Sequence, residues 1–230
     1  MTLLDCVWSP APADLVLSHD EIHLWRASLD QPASLVEQLG QTLSVDERAQ
    51  AERYHFARDR QHFIVGRGLL RKILGAYLGM DPGRLQFRPG PYGKPALASS
   101  GYAPRFNLSH SDGLALYAFT REREIGVDLE YIRPIAEAEQ IAESYFSAQA
   151  NETLRNLPPG ERYEQFFTYW TRMEAYLKAR GDGLTGLSQE RDESCHTSWS
   201  IQGFIPAPGY VAALAVQGHD SCIVYYQWTR

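Results

Sequence analysis

The sequence predicts a mixed helix-and-strand fold made of two similar halves. Two observations predict it. A strand followed by two helical segments occurs twice, about a hundred residues apart. The chain, at 230 residues with 44% apolar content, is long enough to bury a core in one large domain or two small lobes.

The elements follow in order. Residues 1–20 are rich in Pro, Ala and Ser and read as an irregular lead-in, after which Ile22 to Leu29 reads as a strand. Helical text runs from Ser44 to about Leu78, opened by a capping box of Ser44 with Glu47. Turn-rich Asp81-Pro82-Gly83 and Pro89-Gly90-Pro91-Tyr92-Gly93 bracket a short strand at Arg84–Arg88. In the second half, Leu114–Thr120 and Glu124–Ile132 read as strands joined in a hairpin. Helical text resumes over Glu137–Arg155, breaks at Pro158-Pro159-Gly160, restarts at Glu161 and stops at Gly181 and Gly183. The tail from roughly Cys195 to Trp228 is strand-like with turns, and the polar stretch Gln189–Ser198 that overlaps its start reads as an exposed loop. Superposing the copies puts Trp25, Ala27 and Arg71 where the second half has Asp128, Glu130 and Glu174, so only one half carries the charge to hold a cation. The expected division is residues 1–112 and 113–230.

A net charge of −6 argues against nucleic acid as the main partner, although it permits a local basic pocket. Cys6, Cys195 and Cys222 lie far apart without metal-ligand spacing, which fits a reducing compartment better than a disulfide scaffold. No secretory signal and no bilayer-length apolar run is visible, so the expected location is the cytoplasm, away from membranes.

The first segment with chemistry in it is Gly126-Val127-Asp128-Leu129-Glu130. Strand alternation puts Ile125, Val127, Leu129 and Tyr131 on one face and Asp128 with Glu130 on the other, about 7 Å apart. Carboxylates that close repel unless a cation such as Mg²⁺ sits between them. On its own the pair is the commoner solvated face of an amphipathic strand, and a metal site needs a third partner. The run Gln165–Lys178 is strongly helical, with Phe166, Trp170, Met173 and Leu177 as its apolar stripe. Glu174 and Lys178 stand one turn apart beside that stripe, and alone they are an ordinary i, i+4 pair.

Together the wording becomes specific. W-x-x-x-E-A-x-x-K from Trp170 to Lys178, ending in Gly181-Asp182-Gly183-Leu184 after the G-V-D-L-E strand, resembles the signature of the phosphopantetheinyl transferases. The larger, surfactin-synthetase-activating type is the nearer match. Phe56-Ala57-Arg58-Asp59 with Gly66-Arg67 and Leu70-Arg71-Lys72 resembles the family's first-lobe helix. Tyr92-Gly93-Lys94-Pro95 resembles its G-K-P loop, and Phe106-Asn107-Leu108-Ser109-His110-Ser111 its F-N-I/L-S-H-S segment.

The resemblance implies an α+β fold of two similar pseudosymmetric lobes, acting as a monomer, with the active site in the cleft between them. It implies transfer of the 4′-phosphopantetheine arm of coenzyme A to a serine of an apo acyl or peptidyl carrier protein. Asp128, Glu130 and Glu174 match the Mg²⁺ ligands. Glu174 also matches the proposed general base, and Lys178 the lysine that meets the leaving phosphate. Lys94, Ser109 and His110 match residues that contact coenzyme A, the histidine near its 3′-phosphate. The basic residue expected from the first-lobe helix aligns near Gln50, which makes Arg48 and Arg53 the candidates, Arg53 favoured. Met173 replaces the family's usual lysine before the glutamate, which predicts weaker electrostatic help. A Mg²⁺-dependent hydrolase and a non-catalytic carrier-protein binder are the competing readings.

Overall fold

The computed structural model describes residues 3–90, 95–98, 103–181, 198–219 and 221–229. In chain order, β1 (Leu4–Asp5), β2 (Ser9–Pro10) and β3 (Glu21–Ser28) precede α1 (Ala33–Thr42), α2 (Val45–Ala51) and α3 (Ala57–Leu78). Then come β4 (Phe87–Pro89), β5 (Pro95–Leu97), β6 (Arg105–Ser111), β7 (Leu114–Thr120) and β8 (Ile125–Tyr131). Helices α4 (Ala138–Tyr145), α5 (Ala148–Asn156) and α6 (Pro159–Arg180) lead to β9 (Trp199–Ile205), β10 (Tyr210–Gln217) and β11 (Cys222–Gln227).

This is a mixed α/β architecture of two main sheets. One has the order β2-β11-β3-β7-β6 and the other β1-β9-β10-β8, while β4 and β5 form a small ribbon. Strands β3, β7 and β10 are buried at nearly every position and so on both faces. Ile22 and Leu24 of β3 and Leu116 and Ala118 of β7 pack against Val127 and Leu129 of β8 and Leu214 of β10, which seals the sheets face to face. On the other side, Trp25, Tyr117 and Phe119 pack with Val65, Leu69 and Ile73 of α3. Ala213 and Ala215 of β10 pack with Ala175 and Ala179 of α6. The layers therefore run helix, sheet, sheet, helix.

Local signals explain most element ends. Ser44 accepts from Glu47 N while the Glu47 side chain accepts from Ser44 N, so the expected capping box starts α2. Pro159 opens α6, where its missing N–H is harmless. Gly181, at φ 77°, ends α6 in the left-handed region, its N–H bonded to the Leu177 carbonyl.

The structure revises several expectations. The helical text from Ser44 is two helices interrupted at Glu52–Phe56, and α1 precedes them unheralded because Pro32 gives it no side-chain cap. The text over Glu137–Arg155 likewise divides, where Ser147 caps α5. The short strand lies at Phe87–Pro89, after a 3₁₀ turn at Pro82–Arg84. The β7–β8 hairpin does not form. β7 pairs with β3 and β6, whereas β8 crosses to the other sheet and pairs with β10. The division expected after residue 112 falls in the turn between β6 and β7, and β11 returns to pair in parallel with β3. Gly183, Cys195 and all of Gln189–Ser198 except its last residue lie outside the described residues. No helix among the described residues is long and apolar enough to cross a membrane.

Candidate active site

The site begins with a close approach. On β8, a Cβ added at Gly126 would lie 2.1 Å from the Ala175 carbonyl oxygen and 2.4 Å from Ala179 N. These are backbone atoms of α6, so only glycine admits the helix at this distance. Asp128 and Glu130 follow Gly126 on the same face of the strand, towards α6. Lys178 Nζ donates to Asp128 Oδ1 at 2.5 Å and to Ser109 Oγ at 3.1 Å. The expected stripe on α6 is corrected accordingly. Phe166 and Leu177 are buried, but Trp170 and Met173 are half-buried, and the closely packed row runs through Phe167, Thr171, Ala175 and Ala179. Small residues are needed where two backbones nearly touch.

A second strand stitches the site together. β6 and β8 are edge strands of different sheets, and no backbone ladder joins them. Alternate side chains of β6 join them instead. Asn107 Oδ1 accepts from Val127 N at 2.8 Å, and Ser111 Oγ accepts from Tyr131 N at 3.1 Å. Ser109 Oγ donates to Asp128 Oδ1 at 2.9 Å, and Ser111 Oγ donates to Glu130 Oε2 at 3.0 Å. The seam thus satisfies buried backbone donors and aims two carboxylates at once.

Asp128 is only 4% exposed, and its Oδ2 has no hydrogen-bond partner. Burial, then the charge of Asp128, pushes the Glu130 carboxyl above its usual range, with Ser111, Arg133 and Lys178 opposing. Burial, then Asp128, raises Glu174 in the same way, with Lys178 opposing and Glu130 adding to the rise. Three carboxylates therefore share one desolvated region and lack sufficient counter-charge. Among the described residues they do not close into a preformed cluster of three or more acidic or imidazole ligands. The orphaned oxygen and the mutual repulsion nevertheless fit a hard divalent cation.

His110 lies on the other face of β6. It lines a pocket of about 220 Å³ with Tyr54, Arg58, Asp59, His62, Phe63 and Asp112. Crowding by protein, then the charges of Lys178 and His62, hold its imidazole below the ordinary range, although part of the ring still meets solvent. Arg48 is exposed and donates to Leu43 O of its own helix start, and Arg53 is exposed beside Gln50. Neither lines this pocket. Lys94 lies outside the described residues.

Sequence reading missed Asn107 and Ser111 as seam residues and gave Ser109 a different partner. The signal was present in the period-two polar run Asn107, Ser109, Ser111 inside an otherwise apolar strand.

Three desolvated carboxylates around a half-buried ammonium, on a strand and helix held at backbone contact, define a centre suited to phosphoryl transfer. Comparison with known proteins agrees. Residues 124–208 match the profile of the 4′-phosphopantetheinyl transferase superfamily, and residues 13–121 match that of the 4′-phosphopantetheinyl transferase N-terminal region. The chain is 44% identical to the 4′-phosphopantetheinyl transferase HetI of a Nostoc species, over 94% of this chain and 96% of that protein. It is 34% identical to the transferase Psf-1 of Bacillus pumilus over 80% of this chain and 77% of that protein. It is 28% identical to the transferase Sfp of Bacillus subtilis over 77% and 84%, respectively. The chain belongs to the 4′-phosphopantetheinyl transferase superfamily.

Proposed function

We propose that this chain transfers the 4′-phosphopantetheine arm of coenzyme A to a serine hydroxyl of an apo acyl or peptidyl carrier protein, releasing 3′,5′-ADP. The observation that carries the residue assignment is the convergence of Lys178, Asp128 and Glu174 where α6 meets Gly126. Asp128, Glu130 and Glu174 would hold Mg²⁺. When bound, the ion supplies neutralisation of the pyrophosphate charge. Glu174 takes the proton from the carrier serine as the serine oxygen attacks the β-phosphorus. The phosphoric anhydride bond breaks, and Lys178 neutralises the charge left on the departing phosphate. Ser109 positions both Asp128 and Lys178. Lys94 and His110, with Arg53 or Arg48, complete the coenzyme A contacts in this proposal, and His110's pocket takes the 3′-phosphate.

The topology supports the two-lobe reading. β3, the helices to α3, β6 and β7 are followed by β8, the helices to α6, β9 and β10. The strands lie in the orders β3-β7-β6 and β8-β10-β9. A chain carrying both copies would act as a monomer.

The test is intact mass of apo carriers after incubation with coenzyme A and Mg²⁺. A gain of one phosphopantetheine, abolished by EDTA and by Asp128→Ala, is expected. Consumption of coenzyme A without any carrier would favour the hydrolase instead. Carrier binding without a mass gain would favour the non-catalytic binder.

A further inference from the structure

Tyr210 opens β10, the neighbour of β8, and makes a contact that the mechanism does not use. Its Oη donates to the Asp112 carbonyl at 2.7 Å, which joins β10 of one sheet to the β6–β7 turn of the other. Its ring packs edge-on against Tyr131, its register partner on β8, with centroids 5.1 Å apart. Tyr210 therefore grips the residue after Ser111 and the residue after Glu130 at once. Those two preceding residues are themselves bonded, Ser111 Oγ to Glu130 Oε2, at 3.0 Å.

The turn needs such a hold. Ser111 and Leu114 are paired in the β6–β7 ladder, so Asp112 and Gly113 alone reverse the chain. Both have positive φ, 40° and 88°, as a two-residue hairpin turn requires, and Asp112 reaches that region with a side chain in place. No backbone ladder ties β6 to β8 to keep Ser111 in position. Glu130 also has another partner within reach. The same Oε2 lies 3.6 Å from Nη1 of Arg133, an exposed guanidinium. If Ser111 shifts, the carboxylate can follow Arg133 out towards solvent.

We propose that Tyr210 is a positioning residue for Glu130. By pinning the Asp112 carbonyl it fixes Ser111 Oγ, and Ser111 keeps Glu130 turned to the cation rather than to Arg133. This rests on the reading that Asp128, Glu130 and Glu174 hold Mg²⁺.

The test is binding of Mn²⁺, a paramagnetic stand-in for Mg²⁺, with coenzyme A present and no carrier. Free Mn²⁺ is read by electron paramagnetic resonance and corrected for uptake by coenzyme A alone. Ser111→Ala should weaken binding about 10- to 100-fold, as loss of a partner to a metal ligand does. Tyr210→Phe should weaken it about three- to tenfold, the worth of one neutral hydrogen bond. In the Ser111→Ala background, Tyr210→Phe should cost nothing more, because the two act along one line of contacts. In carrier loading, Tyr210→Phe should raise the Mg²⁺ concentration for half-maximal rate and leave the carrier KM unchanged. The substitution removes one oxygen and keeps the ring against Tyr131, so the chain should stay folded by circular dichroism. Wild-type Mn²⁺ affinity in Tyr210→Phe, additive losses in the double variant, or an unfolded Tyr210→Phe chain each overturn the role given to Tyr210. No Mn²⁺ uptake by wild type beyond that of coenzyme A overturns the metal reading beneath it.

Discussion

Replacing Gly126 by alanine tests the geometry most directly. The new Cβ would stand 2.1 Å from Ala175 O and 2.4 Å from Ala179 N, where real contacts stay above 3.0 Å. Both clashing atoms are backbone, so no rotamer change relieves them, and α6 must retreat by at least about 0.9 Å. Overpacking of this kind costs about 1–3 kcal/mol. For a chain of this size, that lowers Tm by roughly 2–12 °C. The functional loss is larger. Glu174 and Lys178 ride on the displaced helix, and a misplacement of about 1 Å at a reacting centre costs about a hundredfold in rate. The assay is carrier-loading kcat/KM by mass spectrometry, alongside a thermal melt. Trimming Ala179 to glycine in the same chain should not rescue the variant, because the contacted nitrogen remains. Near-wild-type activity and Tm in Gly126→Ala would refute the idea that backbone contact between β8 and α6 sets the site.

Asn107→Leu strands the Val127 N–H at the buried seam and should lower unfolding free energy by about 1–3 kcal/mol in a urea titration. Lys178→Met should abolish most carrier loading. Because an ammonium no longer occupies Asp128 Oδ1, Mg²⁺ should also raise its melting temperature more than it raises that of wild type. His23 is 1% exposed, with Nδ1 2.8 Å from Tyr77 Oη, and burial depresses its imidazole against the opposing pull of Glu21. The unfolded chain therefore binds the proton more readily. Stability is complete above about pH 6.5 and falls as pH drops below it, so melts from about pH 7.5 to about pH 5.5 should decline less in His23→Gln. Met173→Lys should change Tm little, because the half-buried position lets a lysine carry its amine to water.

Catalytic candidates were legible in the sequence because their chemistry is local. Asp128, Glu130, Glu174 and Lys178 sit in two short runs whose spacing is fixed by strand and helix periods, and the fold joins the runs through Lys178 and Asp128. The seam was not legible. That Asn107 bonds Val127 N depends on β8 leaving β7 for the other sheet, a choice that a charged turn and two apolar strands do not encode. The same non-local choice explains the failed hairpin. Capping residues announced α2, but α1 follows Pro32 without a cap and is held by packing, which single-sequence patterns do not reveal. Arg48 and Arg53 were candidates by alignment with a helix. The structure instead turns them towards their own segment and presents Arg58 and His62, a turn or two further on, to the pocket.

The side-chain seam between β6 and β8 also bears on solubility. An uncovered strand edge invites pairing with another molecule. Here two such edges, one from each sheet, shield each other through Asn107 and Ser111. A substitution that loosens this closure uncovers both at once. Such variants should accumulate as self-associated material, with light scattering rising before helix content is lost, because the fold protects its edges with two small polar side chains.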